Sequence, residues 1–273
     1  FNPPLLIQFI PMKNLIYLLL LSMTIPSCKK EEARQVNQYT IEQFYTNTRF
    51  EGGTFSADET RLLVGSDETG IFNLYEITLA DGAKKQLTTS TVESYYPVDY
   101  VPGMSALIYS ADKGGNEIDH LYLLEDNGKT TDLTPGENNK VSFFKWSEDK
   151  KSMFYISNIR DPKYFDVYKM NIGEWIPTLF YENKSGLDVN EISDDEKTLV
   201  VSKTVTTSEN ELYLVNKETG TQTELSLPDQ KGRYGVSGFS KDNKYVFYLT
   251  DGGKEFTYLV QYDMNSGERK VLY

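Results

Sequence analysis

The side chains that carry most enzyme chemistry are scarce in this chain, which has one histidine and one cysteine among 273 residues. A Ser–His–Asp triad needs an imidazole as its base, and a zinc centre needs several thiolate or imidazole ligands. His120 leads into a predicted strand, where its neighbour Asp119 points to the opposite face. We therefore interpret His120 as structural and predict no catalytic residue, no metal site and no cofactor within these 273 residues.

Two further patterns that resemble functional motifs are incomplete. The segment 235–239 comes nearest to a G-x-S-x-G nucleophile elbow, but it lacks the final glycine and no helix is predicted after it, so Ser237 is interpreted as structural. Oxygen ligands in one loop lack EF-hand spacing and are interpreted as solvated: Asp112, Asn116 and Asp119. Aromatic residues before two repeat units are interpreted as core or channel-rim residues: Tyr95, Tyr96 and Tyr234.

The amino-terminal segment has the pattern of an export signal. Met12 and Lys13 precede an apolar run over 15–25, which is too short to span a bilayer and is followed by Pro26-Ser27-Cys28. This ending resembles a bacterial lipobox, so Cys28 is the predicted lipidation site; a buried free cysteine is the alternative. The predicted segments are upstream translated sequence (1–11), a lipoprotein signal peptide (12–27), a tether (28–38) and a leader (39–54).

The net charge of −12 limits the partners of the chain. Binding to phosphate backbones requires clustered Lys and Arg, so the acidic balance argues against a nucleic-acid partner. The predicted location is the bacterial cell envelope, with the chain anchored by lipid on the periplasmic side or at the cell surface.

The rest of the chain repeats one unit five times. Each unit begins with an aromatic or apolar residue that we call the opener, and the openers are spaced by 45 to 47 residues. A turn residue, a three-residue apolar run, a tyrosine and a glycine turn follow in constant register. The openers are Phe55, Tyr100, Trp146, Ile192 and Phe239.

Four short strand patterns separated by turn residues fit into each unit. A four-stranded antiparallel sheet with two apolar faces needs neighbours on both sides, and blades packed around an axis provide them. We therefore predict an all-β fold, a β-propeller similar in plan to WD-repeat propellers, with the openers, apolar runs and tyrosines in the cores between blades. The five visible blades, 55–99, 100–145, 146–191, 192–238 and 239–273, are expected to belong to an incomplete ring of seven or eight. One short helix is predicted within 40–47, with Thr40 as a cap.

Four strings in this sequence resemble those of a known family. They are the leader string 39–44 and the blade strings 55–59, 74–77 with 85–88, and 146–149. The chain resembles the N-terminal propeller region of prolyl oligopeptidase-family serine peptidases over 39–273, and more narrowly the bacterial dipeptidyl aminopeptidase and acylaminoacyl-peptidase type. The resemblance implies a propeller that admits short peptides to an α/β-hydrolase domain, and that catalytic domain is missing from this chain.

The resemblance implies a serine peptidase as the parent protein, while the chain as given is expected to be non-catalytic. A D-W-x-Y-E-E motif is absent from the sequence, which favours an oligopeptidase or acylaminoacyl-peptidase over a strict dipeptidyl specificity. A complete five-bladed binding lipoprotein without enzyme activity is the main alternative. A propeller-type polysaccharide lyase or hydrolase is a third, disfavoured by the single histidine.

Overall fold

The computed structural model describes residues 36–227 and 229–273, so Cys28 and the predicted signal lie outside the described part. The chain divides into two compact units, with the boundary between Asn47 and Thr48. Within the described residues, no helix is both long and apolar enough to cross a membrane.

The first unit contains the predicted short helix, α1 (Ile41–Tyr45). The Thr40 hydroxyl accepts a hydrogen bond from the Gln43 backbone N–H, and the Gln43 side chain accepts one from the Thr40 N–H. This reciprocal capping box satisfies two backbone donors that a helix of one turn leaves free. The predicted helix and its cap are therefore confirmed.

The second unit consists of five four-stranded antiparallel sheets, each built from four consecutive strands. The all-β propeller prediction is confirmed. Blade 1 contains β1 (Phe50–Phe55), β2 (Arg61–Ser66), β3 (Asn73–Thr78) and β4 (Lys84–Gln86); blade 2 contains β5 (Tyr96–Tyr100), β6 (Ala106–Ala111), β7 (His120–Glu125) and β8 (Thr130–Asp132). Blade 3 contains β9 (Val141–Trp146), β10 (Ser152–Asp161), β11 (Tyr164–Asn171) and β12 (Pro177–Tyr181). Blade 4 contains β13 (Asp188–Ile192), β14 (Thr198–Thr204), β15 (Asn210–Asn216) and β16 (Gln222–Glu224); blade 5 contains β17 (Tyr234–Phe239), β18 (Tyr245–Thr250), β19 (Tyr258–Asp263) and β20 (Arg269–Val271).

The first strand of each blade is the innermost strand. First strands of neighbouring blades contact each other, as β1 does with β5 and β13 with β17, whereas β4, β8, β12, β16 and β20 pair with the third strands of their own sheets. Each opener is the last residue of an inner strand, so the sheets begin a few residues before the repeat units counted from the openers. The inner strands therefore line the axis of the propeller.

The turn after the inner strand has the same structure in four blades. In blade 3, the Ser147 hydroxyl donates to Asp149 Oδ1 at 2.7 Å and accepts from the Ser152 N–H at 3.0 Å. Lys150 in this turn has a left-handed backbone conformation, with φ 58°. This conformation is higher in free energy for a residue with a side chain than for glycine. The same Ser–Asp pair holds the turns at Ser56 and Asp58, Ser193 and Asp195, and Ser240 and Asp242.

These turns make the stability of the protein depend on pH. Hydrogen bonds from Ser56 and then Thr60 lower the pKa of Asp58 from 3.8 to about 2. Because the pKa is lower in the folded state, this carboxylate stabilises the fold above about pH 4, and the contribution is lost as the pH falls towards 2. We expect the urea midpoint to decline between pH 5 and 2.5, and to decline less in Asp58→Asn. An equal decline in both proteins would contradict this account.

Four apolar clusters join the five blades in sequence. Fully buried residues of the central apolar runs form their centres, including Leu63, Ile108, Met153, Val200 and Val246. The clusters lie between blades 1 and 2, 2 and 3, 3 and 4, and 4 and 5. None of these clusters in the described residues joins blade 5 to blade 1.

Each opener faces the blade that precedes it. Tyr100, Trp146, Ile192 and Phe239 pack into the clusters that their blades share with the preceding blades. The prediction that every opener is a core residue is wrong for Phe55, whose side chain is 57% exposed. The Phe55 side chain lies on the corresponding face of blade 1, but no preceding blade covers it in the described residues. The opposite face of blade 5 also exposes apolar surface at Leu249 and Leu272.

Candidate functional site

The two ends of the propeller carry different connections. One end, the repeat-turn end, carries the Ser–Asp turns. The other, the crossover end, carries the loops between second and third strands and the connections from each blade to the next. Successive connections in an antiparallel sheet alternate between its two ends. The loops between second and third strands and the connections between blades therefore lie at the same end of the propeller. The crossover end of blades 1 to 3 comprises the loops 67–72, 112–119 and 162–163 and the connections 87–95 and 133–140.

A β-bulge interrupts every inner strand just before its opener. In blade 2 the shift in register lies between Pro97 and Asp99, and in blade 4 between Val189 and Glu191. Asp99 Oδ1 accepts the Tyr100 N–H at 2.8 Å, and Glu191 Oε1 accepts the Ile192 N–H at 2.9 Å. The carboxylates thus bind the backbone donors of the following openers next to the bulges.

The residues that precede the openers also join the inner strands to each other. Asp99 connects three blades, because it accepts hydrogen bonds from Thr54 Oγ1 of blade 1 at 2.7 Å and Trp146 Nε1 of blade 3 at 2.9 Å. Lys145 Nζ of blade 3 lies 2.7 Å from Glu191 Oε1 of blade 4. We call this set the inner belt: Thr54, Asp99, Lys145, Trp146 and Glu191.

The inner belt holds the spacing of the blades around the axis. The sequence analysis missed it, although a signal was present: the residue before every opener is polar or glycine, in an otherwise apolar strand pattern. A bulge changes the direction of the side chain of such a residue, so the regular alternation of side chains along a strand does not predict where it points.

His120 is a buried structural residue, as its place in the sequence suggested. Its Nδ1 lies 2.8 Å from Asp132 Oδ2, and its Nε2 lies 3.0 Å from the Gly136 carbonyl oxygen. The two ring nitrogens thus each lie at hydrogen-bond distance from an oxygen of a neighbouring segment. No serine hydroxyl bonds to the ring within the described residues, so His120 ties β7 to β8 and to the connection into blade 3.

Replacement of His120 by phenylalanine is expected to lower the free energy of unfolding by about 2 kcal/mol, because the Asp132 carboxylate and the Gly136 carbonyl lose a buried donor. The free energy of unfolding from urea titration measures this loss. Asp126→Asn, which changes an exposed side chain on the turn after β7, serves as the control and should leave stability unchanged. Equal stability of the His120 variant and the parent would contradict the two contacts.

A groove runs between blades 2 and 3 at the crossover end. It combines two adjoining cavities that share Tyr96, Asp119 and Lys140. The inner cavity, of about 540 Å³, lies between the inner strands β5 and β9, and the outer cavity, of about 670 Å³, lies beside the loop 112–117. We call this the blade 2–3 groove.

The other residues singled out from the sequence are dispersed. Ser237 lies in the bulge of β17, and Tyr234 is buried in the core between blades 4 and 5. Tyr95 packs on Tyr109 with ring centroids 4.9 Å apart, whereas Tyr96 lines the blade 2–3 groove. Asp119 lies in this groove, and Asn116 binds backbone N–H groups of its own loop. Within residues 36–227 and 229–273, no group of three or more histidine, cysteine or acidic residues is arranged to hold a metal ion.

The sequence of residues 97–272 matches the family described as "Prolyl oligopeptidase, N-terminal beta-propeller domain". No curated protein sequence matches the chain.

Solved structures with the same fold are peptidases and other propellers. A prolyl endopeptidase structure is 17% identical with a TM-score of 0.59, covering 82% of this chain and 36% of the other. A puromycin-hydrolyzing peptidase of Mycobacterium tuberculosis is 17% identical with a TM-score of 0.55, covering 82% and 38%. TolB from Acinetobacter baumannii is 17% identical with a TM-score of 0.52, covering 81% and 53%. The chain therefore spans little more than a third of the two peptidases and about half of TolB.

Proposed function

We propose that this chain, which belongs to the prolyl oligopeptidase N-terminal β-propeller family, is the substrate-gating part of a lipid-anchored serine peptidase that acts on short peptides. The serine, the base and the acid of the reaction would lie in an α/β-hydrolase domain outside these residues. The chain itself supplies a channel and its rim. An oligopeptidase or acylaminoacyl-peptidase fits the proposal better than a strict dipeptidyl peptidase.

The proposal that this chain is part of a larger protein rests on the exposure of Phe55. Four openers are covered by the preceding blade, and Phe55 is the fifth residue of the same series. Exposed apolar surface at Leu249 and Leu272 lies on the free face of blade 5. Apolar blade faces of this kind are stable when another blade covers them. Further blades of the same protein are the proposed cover.

Gating requires a channel of constant width, and the inner belt supports that requirement. Asp99 links blades 1, 2 and 3, and the Lys145–Glu191 pair links blades 3 and 4. The side chains involved are half-buried, where charge-assisted hydrogen bonds hold their geometry better than at an open surface. A rigid channel admits an extended peptide and excludes a folded protein, so access would depend on size.

The proposed membrane attachment is through Cys28. Its support is the pattern of the sequence: Lys13, the apolar run 15–25 and the lipobox-like ending at Cys28. Two acyl chains on one cysteine suffice for stable anchoring. The proposed location is the cell envelope, on the periplasmic side or at the cell surface.

A second candidate is a five-bladed binding lipoprotein without catalytic activity. The observation in its favour is the likeness to TolB structures, one of which, from Agrobacterium tumefaciens, is 80% covered by this chain with a TM-score of 0.50. Under this candidate a peptide or a glycan would be bound at one face and released unchanged.

Size-selective hydrolysis tests the proposal. The native protein, extracted from membranes of the cells that produce it, is assayed on peptides of about five to ten residues and on a folded globular protein. We expect hydrolysis of the peptides alone, and its loss after treatment with a fluorophosphonate. Absence of peptide hydrolysis would favour the binding lipoprotein, and hydrolysis of the folded protein at a similar rate would contradict gating.

A further inference from the structure

The inner half of the blade 2–3 groove presents apolar surface that remains uncovered within residues 36–227 and 229–273. Val98 and Phe143 from the inner strands are half-buried there, and Phe165 of β11 is 39% exposed. Covering such side chains with an apolar ligand removes their surface from water and stabilises the complex. This half of the groove therefore suits an apolar side chain.

The Asp119 carboxylate in the groove wall differs from its acidic neighbours. Among the described residues, no side chain or backbone group forms a hydrogen bond or ion pair with the half-buried carboxylate of Asp119. The neighbouring carboxylates are engaged, because Glu93 accepts the Gly114 N–H and Asp112 accepts the Glu117 N–H, both at 2.8 Å. Burial, and then the charge of Asp112, raise the pKa of Asp119. The charge of Lys140 lowers this pKa in part, and a cation placed beside Asp119 would stabilise the charged carboxylate further.

The charge of the whole groove favours a cation over an anion. Four carboxylates line it, from Glu93, Asp112, Glu117 and Asp119, against one ammonium group, that of Lys140. The acidic side chains adjoin the apolar half, with Asp119 present in both cavities. An apolar group and a cationic group that are close neighbours in one ligand can therefore be bound together.

We propose that the blade 2–3 groove binds peptides in which a basic side chain is adjacent to an apolar one, with the basic group beside Asp119 and the apolar group against Phe143 and Phe165. This rests on the proposed function, in which short peptides are the substrates. The groove would then select peptides at the crossover end by sequence, in addition to the selection by size.

Binding of a matched pair of peptides tests this inference. The intact protein, pretreated with fluorophosphonate so that no cleavage occurs, is titrated into fluorescent N-acetylated Gly-Phe-Arg-Gly-amide and its citrulline analogue. The acetyl group removes the terminal charge, so the arginine carries the only cation. We expect about tenfold tighter binding of the arginine peptide by fluorescence anisotropy.

Two pairs of variants locate the effect. Asp119→Asn should abolish the preference for arginine, while Asp126→Asn, an equal change at an exposed site on the repeat-turn end, should retain it. Phe165→Ala should weaken the binding of both peptides to a similar extent. The control is Phe256→Ala, at a residue that is 76% exposed in a loop of blade 5, and this variant should bind both peptides as tightly as the parent protein does.

Equal affinity of the parent protein for the two peptides would overturn the inference, regardless of the affinities of the variants. Retention of the preference in Asp119→Asn would overturn it as well. Either result leaves gating intact if short peptides are still hydrolysed, because a channel can select by size alone. Conversely, a preference for arginine in a protein that hydrolyses no peptide would support the groove and contradict the peptidase proposal.

Discussion

Replacement of Asp166 by alanine is expected to lower the free energy of unfolding by about 3 kcal/mol. The Asp166 carboxylate is fully buried and accepts two hydrogen bonds from Arg160, at 2.6 and 2.9 Å, and one from the Asn183 N–H at 2.8 Å. Its loss leaves the buried Asn183 N–H without this acceptor and removes the nearer of the two carboxylates that pair with Arg160, the other being Glu182 at 3.6 Å. The connection from blade 3 to blade 4 would then be held to β11 by the hydrogen bond from Asn183 Nδ2 to the Phe165 carbonyl oxygen.

Asp161→Ala in the same hairpin is the control for this variant. The Asp161 carboxylate accepts one hydrogen bond, from the Lys163 N–H at 2.9 Å in the exposed turn, so its loss should cost less than about 1 kcal/mol. Urea unfolding of both variants measures the difference. Equal stabilities of Asp166→Ala and Asp161→Ala would show that the buried network contributes nothing beyond an exposed turn contact.

The second large effect is expected at the openers. Trp146→Ala should lower the free energy of unfolding by about 4 kcal/mol, because Trp146 is 8% exposed between blades 2 and 3 and its Nε1 donates to Asp99. Phe55→Ala should change the stability of this chain by less than about 1 kcal/mol, since the Phe55 side chain is 57% exposed. Both variants remove an aromatic opener, and the preceding blade covers Trp146 but not Phe55 within the described residues.

The same pair of variants distinguishes an open ring from a closed one. In the native protein, additional blades would cover Phe55, so Phe55→Ala should then be destabilising by an amount approaching that of Trp146→Ala. Thermal unfolding of the membrane-extracted protein and of this chain, each with both variants, provides the comparison. A Phe55 variant that is neutral in both proteins would contradict the covering of blade 1 by a further blade.

Most of the fold is predictable because its determinants are local. The apolar runs recur every 45 to 47 residues and the Ser–Asp turns occur in four of the five units, and each defines a strand or a hairpin from adjacent residues. The capping box at Thr40 and Gln43 is likewise local. These features predicted five sheets of four strands and the one helix.

The contacts between blades are less predictable from the sequence. Asp99 meets Thr54 and Trp146 across 45 and 47 residues, and the bulge beside Asp99 changes the side chain's direction. The pair of Arg160 and Asp166 is a second contact that the repeat pattern does not predict. It lies in the hairpin of β10 and β11, which is longer than the corresponding hairpins of the other blades. The exposure of Phe55 depends on a neighbour, which the repeat pattern alone does not describe.

The blade 2–3 groove likewise could not be predicted, because residues of five strands and three loop segments form it. Asp119 has the sequence context of a solvated loop acid. Its half-buried position arises because the connection 133–140 runs beside it, and the Val141 N–H donates to the Asp119 carbonyl oxygen at 2.9 Å. Packing of one blade against the next therefore decides which loop carboxylate faces the groove.

The central claim, that this propeller belongs to a serine peptidase, is tested most directly by covalent labelling of the native protein. Membranes of the producing cells are treated with a tagged fluorophosphonate, the polypeptide that contains residues 36–273 is recovered with an antibody against them, and the labelled residue is identified by mass spectrometry. The account predicts one labelled serine in the same polypeptide, outside residues 36–273. A recovered polypeptide without label, or with label on a serine of the five blades, would contradict it.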